Sequence, residues 1–183
     1  MDAYYTTPLG PFAPAIGANF NTFTTKQDVS PLPLPILPAN ACRPGTCIKM
    51  EAEGEWSATG TPTLVLGFYC GAPGTVGGGT ITTTFAESVA STLSANTSFP
   101  WRMEYRGKIV TVGTTGSIVG SGDLEMGTSL SAITSTMIPI TLALRTVAIN
   151  TTIANAIGIC ATFSASSASN NVRVYQLTAS LLN

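Results

Sequence analysis

Two stretches of this chain alternate strictly between apolar and charged residues. Ile48, Met50, Ala52, Gly54 and Trp56 interleave with Lys49, Glu51, Glu53 and Glu55. Trp101, Met103, Tyr105, Gly107 and Ile109 interleave with Arg102, Glu104, Arg106 and Lys108. A period of two predicts β-strands with one face on a core and the other in water. Residues 63–70 predict a further strand, with Leu64, Leu66, Phe68 and Cys70 on one face. Thr59-Gly60-Thr61-Pro62 turns the chain ahead of it, and residues 71–79, with five glycines and a proline, form a loop. Strands are also predicted over residues 80–85, 117–127, 139–149, 157–164 and 172–182, whereas 86–95 reads equally as strand or brief helix. Seven to nine strands without a long amphipathic helix define the class as all-β. The expected architecture is an antiparallel jelly roll or β-sandwich of about eight strands.

The two alternating strands hold eight of the seventeen charged residues. One outward face reads Lys49, Glu51, Glu53, Glu55; the other reads Arg102, Glu104, Arg106, Lys108. Opposite charges across a ladder are favourable and like charges are not. The pattern therefore predicts that these strands are neighbours in one sheet, joined by cross-strand charge pairing. A catalytic carboxylate pair among Glu51, Glu53 and Glu55 is the weaker reading, because a solvated strand face accounts for them.

Before residue 47 the pattern changes. Eight of the twelve prolines fall before residue 45, and the run Ser-Pro-Leu-Pro-Leu-Pro-Ile-Leu-Pro covers residues 30–38. Proline lacks an N–H and fixes φ, so this run cannot be a helix or an inner strand. It should extend as polyproline II at ~3.1 Å per residue. The expected organisation is an extended proline-rich arm, 1–46, and a β module, 47–183, that folds without it. A plain spacer would not need Leu32, Leu34, Ile36 and Leu37 to be apolar. With Tyr4, Tyr5, Phe12, Phe20 and Phe23 they are candidate contacts to a sister subunit or another partner. Folding back onto the chain's own module is equally open. Cys42-Arg-Pro-Gly-Thr-Cys47 forms a turn that a disulfide could close; in a reducing compartment both would be free thiols. Cys70 and Cys160 read as small buried hydrophobes.

Composition narrows the function. Charged residues are 9% and the net charge is −1, with no basic cluster, which disfavours nucleic acid as a partner. The most apolar region, residues 133–148, is interrupted by Thr134, Ser135, Thr136, Thr141, Arg145 and Thr146, so no membrane span is expected. The start shows no secretory pattern, and a soluble chain made in a cytoplasm is expected. Histidine is absent, which removes the usual general base and the commonest metal ligand. Asp123 and Glu125 share a face, but two carboxylates do not make a cation site. The expectation is a protein without catalytic activity, cofactor or metal.

The run Ile48-Lys-Met-Glu-Ala-Glu-Gly-Glu-Trp, then Gly60-Thr-Pro-Thr-Leu, Phe99-Pro-Trp-Arg-Met-Glu and the closing strand Asn170-Asn-Val-Arg-Val-Tyr-Gln-Leu, resembles tailed-bacteriophage virion proteins with a jelly-roll module. These are of the capsid decoration (cement) or minor structural type. The resemblance covers residues 47–183. It implies a homotrimer on the outer capsid surface that bridges major-capsid subunits, with the arm as a clamp. The alternatives are a tail, fibre or head-spike component, or a carbohydrate-binding sandwich for host adhesion. The last would need exposed aromatics, yet Trp56 and Trp101 fall in inward registers.

Overall fold

The computed structural model describes residues 6–9, 17–129, 131–139 and 145–182, with side chains from Leu9 onward. Among them there is no helix. The alternating segments form the long strands: β5 (Cys47–Ala58), β6 (Thr63–Ala72), β7 (Thr80–Glu87), β9 (Asn96–Thr111), β10 (Gly116–Ser129), β13 (Asn155–Phe163) and β14 (Asn171–Leu182). Shorter pieces are β1 (Thr6–Pro8), β2 (Phe20–Asn21), β3 (Gln27–Asp28), β4 (Ile36–Leu37), β8 (Ser91–Thr92), β11 (Ala132–Ile138) and β12 (Thr146–Ile149). Residues 86–95, which read as strand or helix, thus end β7 and contribute β8.

Two antiparallel sheets pack face to face as a β-sandwich. Sheet A runs β1-β14-β5-β9-β10-β11, with β2 also on β14 and β12 also on β10. Sheet B runs β3-β13-β6-β7, with β4 also on β13 and β8 also on β6. In both sheets the last long strand returns beside the first: β14 beside β5, β13 beside β6. For the four long strands of sheet A this is the order 4-1-2-3 that Greek-key sheets share.

The core lies between the sheets. Ile48, Met50, Trp56, Trp101, Met103, Tyr105 and Leu124 point inward from sheet A, and Leu64, Leu66, Phe68, Phe85, Ile157, Ile159 and Phe163 from sheet B; all are buried. Both tryptophans are buried and tied down at their nitrogens. Trp56 Nε1 donates to the Gly127 carbonyl at 2.9 Å, and Trp101 Nε1 to the Glu55 carbonyl at 3.2 Å. Gly54 lies opposite Trp101 in the ladder, and the indole covers the space a side chain there would need.

The described part of the first 46 residues belongs to this same sandwich, which corrects the expected division at residue 47. β1 and β2 pair with β14, and β3 and β4 pair with β13, so the segment runs along the outer edge of each sheet in turn. Phe20, Phe23, Val29, Leu34 and Leu37 are buried in the common core. The Phe23 ring packs against Phe163 with centroids 5.3 Å apart. The physical reason is that an uncovered β13 or β14 edge would present a row of unpaired backbone groups beside apolar side chains.

Two outcomes test this. Replacing Phe23 by Ala removes a buried ring from the segment and should destabilise the whole chain by about 3 kcal/mol, read as a lower urea midpoint in one cooperative transition. A chain starting at residue 38 should be insoluble or unfolded; a soluble, sharply melting product would show that the module stands without its arm.

Candidate interaction surface

Three features define the surface: the clasped edges, the charged outer face of sheet A, and one strand edge that nothing described covers.

The clasp is held by a buried polar latch. Asp28, 3% exposed, accepts hydrogen bonds from the Ser30 amide at 3.0 Å, the Ser30 hydroxyl at 2.6 Å and the Gly79 amide at 3.0 Å. The Ile159 amide of β13 donates to Ser30 Oγ at 2.7 Å, and the Val29 amide donates to the Ile159 carbonyl at 2.9 Å. One carboxylate therefore joins the N-terminal segment, β13 and the glycine loop after β6. Burial first, and the neighbouring Asp28 charge next, push the Tyr69 phenol far above its ordinary range, so it stays protonated. Sequence reasoning missed this latch. Its signal was there: Asp28 is the only acid between Asp2 and Glu51, and it stands just ahead of the apolar, proline-rich run 30–38.

The arm residues singled out as partner contacts divide three ways. Tyr4, Tyr5 and Phe12 lie outside the described residues. Phe20, Phe23, Leu34 and Leu37 are buried in the chain's own core, a correction, because the sandwich edges need their side chains. Leu32 and Ile36 are half-buried and line an open apolar groove with Pro33, Leu34, Pro73 and Gly74.

Cys42 and Cys47 are free thiols, so the disulfide reading is corrected too. Cys42 is buried in the core, whereas Cys47 opens β5 in the outward register of Lys49 and Glu51. The turn between them is closed by backbone and hydroxyl bonds: Thr46 N to the Arg43 carbonyl at 3.0 Å, and Arg43 N to Thr46 Oγ1 at 3.1 Å.

On sheet A, β5 and β9 are adjacent, and their register decides how the charges meet. Lys49 lies opposite Arg106, Glu51 opposite Glu104, and Glu53 opposite Arg102, while Lys108 lies opposite Cys47 and Glu55 opposite Pro100. Direct cross-strand pairing is therefore mostly like against like, which corrects the expected scheme. Attraction along the strands arises where the cationic row of Lys49 and Arg106 lies beside the anionic row of Glu51 and Glu104. Lys49 Nζ meets Glu51 at 2.7 Å and Arg106 Nε meets Glu104 at 2.7 Å. Cross-strand contacts form one strand further out, Arg102–Glu125 at 3.6 Å and Arg173–Glu55 at 3.3 Å. With Asp123 of β10, this face carries eleven of the seventeen charged residues, five cations and six anions. Exposed pairs of this kind stabilise the fold little, about 0–1 kcal/mol each. Their weight lies in what they present: a face nearly neutral in sum, with a cationic row beside an anionic one.

Among the described residues, no group of three or more Cys, Asp and Glu could hold a metal ion, and no helix is long and apolar enough to cross a membrane. Asp123 and Glu125 stand in separate rows, Asp123 opposite Glu104 and Glu125 opposite Arg102. A shallow depression of about 370 Å³ lies on the charged face among Glu53, Pro100, Arg102, Glu125, Ile133 and Tyr175. No protein-family model and no curated protein matches this chain.

Burial pushes the Cys70 thiol up to about 11 and the Cys160 thiol up to about 12, from an ordinary value of 9.0. Both should resist alkylation of the folded protein at pH 8, whereas Cys47 should react; a thiol count on native and unfolded protein checks this. A raised folded-state pKa means that the stabilisation is complete below 9.0 and is lost as pH climbs through 11 to 12. Urea midpoints should thus fall with rising pH above 9, and less so in a Cys160→Ala variant. Asp28→Ala strips a buried carboxylate of three bonds and should cost about 3 kcal/mol in the same assay.

Proposed function

We infer that this chain is a non-enzymatic structural protein of a virion, acting as a capsid decoration protein on the outer capsid surface. It would bridge major-capsid subunits there and strengthen the shell. The observation that carries this reading is the outer face of sheet A. Most of the chain's few charges are gathered on one face, with a cationic row, Lys49 and Arg106, beside an anionic one, Glu51, Glu104 and Asp123, and the polar surface elsewhere is mainly Thr, Ser and Asn. Such a face fixes register against a complementary surface more than it adds affinity. The resemblance of residues 47–183 to phage decoration and minor structural proteins supports the same reading and implies a homotrimer made in the host cytoplasm.

The contact assigned earlier to the arm moves to this face. Phe20, Phe23, Leu34 and Leu37 of the arm are occupied inside the sandwich, so bridging falls to β5, β9 and β10. No cofactor, nucleic acid or membrane enters the proposal. The carbohydrate-binding alternative loses its natural platform, since Trp56 and Trp101 are buried and Tyr175 is the exposed aromatic beside the depression. A tail, fibre or head-spike location would use the same face on a different partner.

The test is location followed by loss. The chain should be found on the heads of purified virions, and particles lacking it should burst at lower temperature. Arg102→Glu with Arg106→Glu should weaken rebinding to such particles on the order of tenfold or more, with an unchanged unfolding midpoint. Absence from virions, or unimpaired rebinding by the double variant, would refute the assignment.

A further inference from the structure

Among the described residues, the long edges of this sandwich are protected except at the end of sheet A beyond β10. The β14 edge is covered by β1 and β2, and the β13 edge by β3 and β4. The β7 edge is broken by two register shifts against β6, and its Glu87 carboxylate is held by Lys26 at 2.6 Å. That end is formed by the four-residue β12 and, over most of its length, by β11, Ala-Ile-Thr-Ser-Thr-Met-Ile. It carries no charge, no proline and no glycine, and among the described residues nothing pairs with its outer side. Ile133 is 80% exposed and Met137 56% exposed, both on the outer face. An uncharged edge of this kind is a template for another strand.

The sequence of β11 says which strand. It is nearly palindromic about Ser135: Thr134 mirrors Thr136, and Ile133 mirrors Met137. We propose that β11 pairs antiparallel with β11 of a second copy about a two-fold axis at Ser135, joining two sheets A into one continuous sheet. In that register Ile133 of each copy lies opposite Met137 of the other on the outer face, covering the two most exposed large apolar side chains. On the inner face Thr134 lies opposite Thr136, a favoured cross-strand pair. A two-fold contact requires this self-complementarity, because each residue meets its own mirror position. Charge does not oppose it. Asp123 and Glu125 lie one strand in from the edge, on β10. In the paired sheet Glu125 faces its counterpart across three strand spacings, about 14 Å, beyond the Debye length of ~8 Å at physiological salt, and Asp123 lies across from Gly127 of the other copy. The pairing is independent of the capsid reading: it joins copies two by two, whether these are single chains or members of separate trimers.

Sedimentation of the full chain over a range of micromolar concentrations tests it. The wild type should reach twice the mass of an Ile133→Lys, Met137→Lys variant. Both sites are exposed, so the variant should keep the wild-type unfolding midpoint. An equimolar mixture with an Ile133→Glu, Met137→Glu variant should recover the doubled mass, since the axis sets lysine against glutamate. A Ser135→Cys variant should cross-link between copies on mild oxidation. The proposal is overturned if wild type and lysine variant sediment alike at every concentration, or if the mixed variants fail to associate. It is also overturned if β11 engages a strand of another protein while the isolated chain never doubles.

Discussion

The open edges of β13 and β14 are the constraint on which the rest of this structure depends. The core strands reach the rim of the sandwich with apolar side chains on one face and unpaired backbone groups along the edge. The N-terminal segment resolves both at once. Its amides and carbonyls reach the rim at chosen points: Leu9 N to the Ala179 carbonyl, Gly17 N to the Val174 carbonyl, Val29 N to the Ile159 carbonyl, and Ile157 N to the Pro35 carbonyl. Between those points Phe20, Phe23, Val29, Leu34 and Leu37 fill the core margin. Proline suits this task. It limits the freedom of the unfolded segment, so less is lost on ordering. It also leaves the cover without the regular N–H row that would make it a new sticky edge.

The molecule is strongly sided as a consequence. One flank of each sheet is sealed by the arm, the Asp28 latch fastens that seal to the glycine loop, and sheet A keeps its charged outer face in water. Two features stand out for outside contact: that face and the strand beside it. The two differ in chemistry: a face with cationic and anionic rows side by side suits a patterned partner, and a neutral edge suits backbone pairing.

Much of the sandwich was legible in the sequence because period-two alternation is a local signal. The inward registers of β5 and β9 could be read from Ile48 and Trp101 onward, and the buried tryptophans followed. The fate of the arm was not legible, since a Leu-Pro run looks the same whether it lies on its own sandwich or on another molecule. Only the position of β13 and β14 in space decides, and that is a long-range fact. The charge scheme failed for a related reason. The faces were correct, but a register in which Glu51 meets Glu104 is set by the whole ladder. β11 escaped notice because Ile-Thr-Ser-Thr-Met has too little contrast between its two faces to register as alternation. The thiols of Cys42 and Cys47 diverge because one lies before β5 and turns into the core, while the other obeys the strand's parity.

One feature of the topology also sets the order of events during synthesis. The segment before residue 38 has its partners on β13 and β14, and β5, the first long strand, lies beside β14, the last. Contacts so distant along the chain close slowly. As the polypeptide leaves the ribosome, its early strands must wait with their edges open until the region around residue 180 emerges. Completion of the sandwich therefore waits for β14, and until that strand has emerged the nascent chain is open to association with its neighbours.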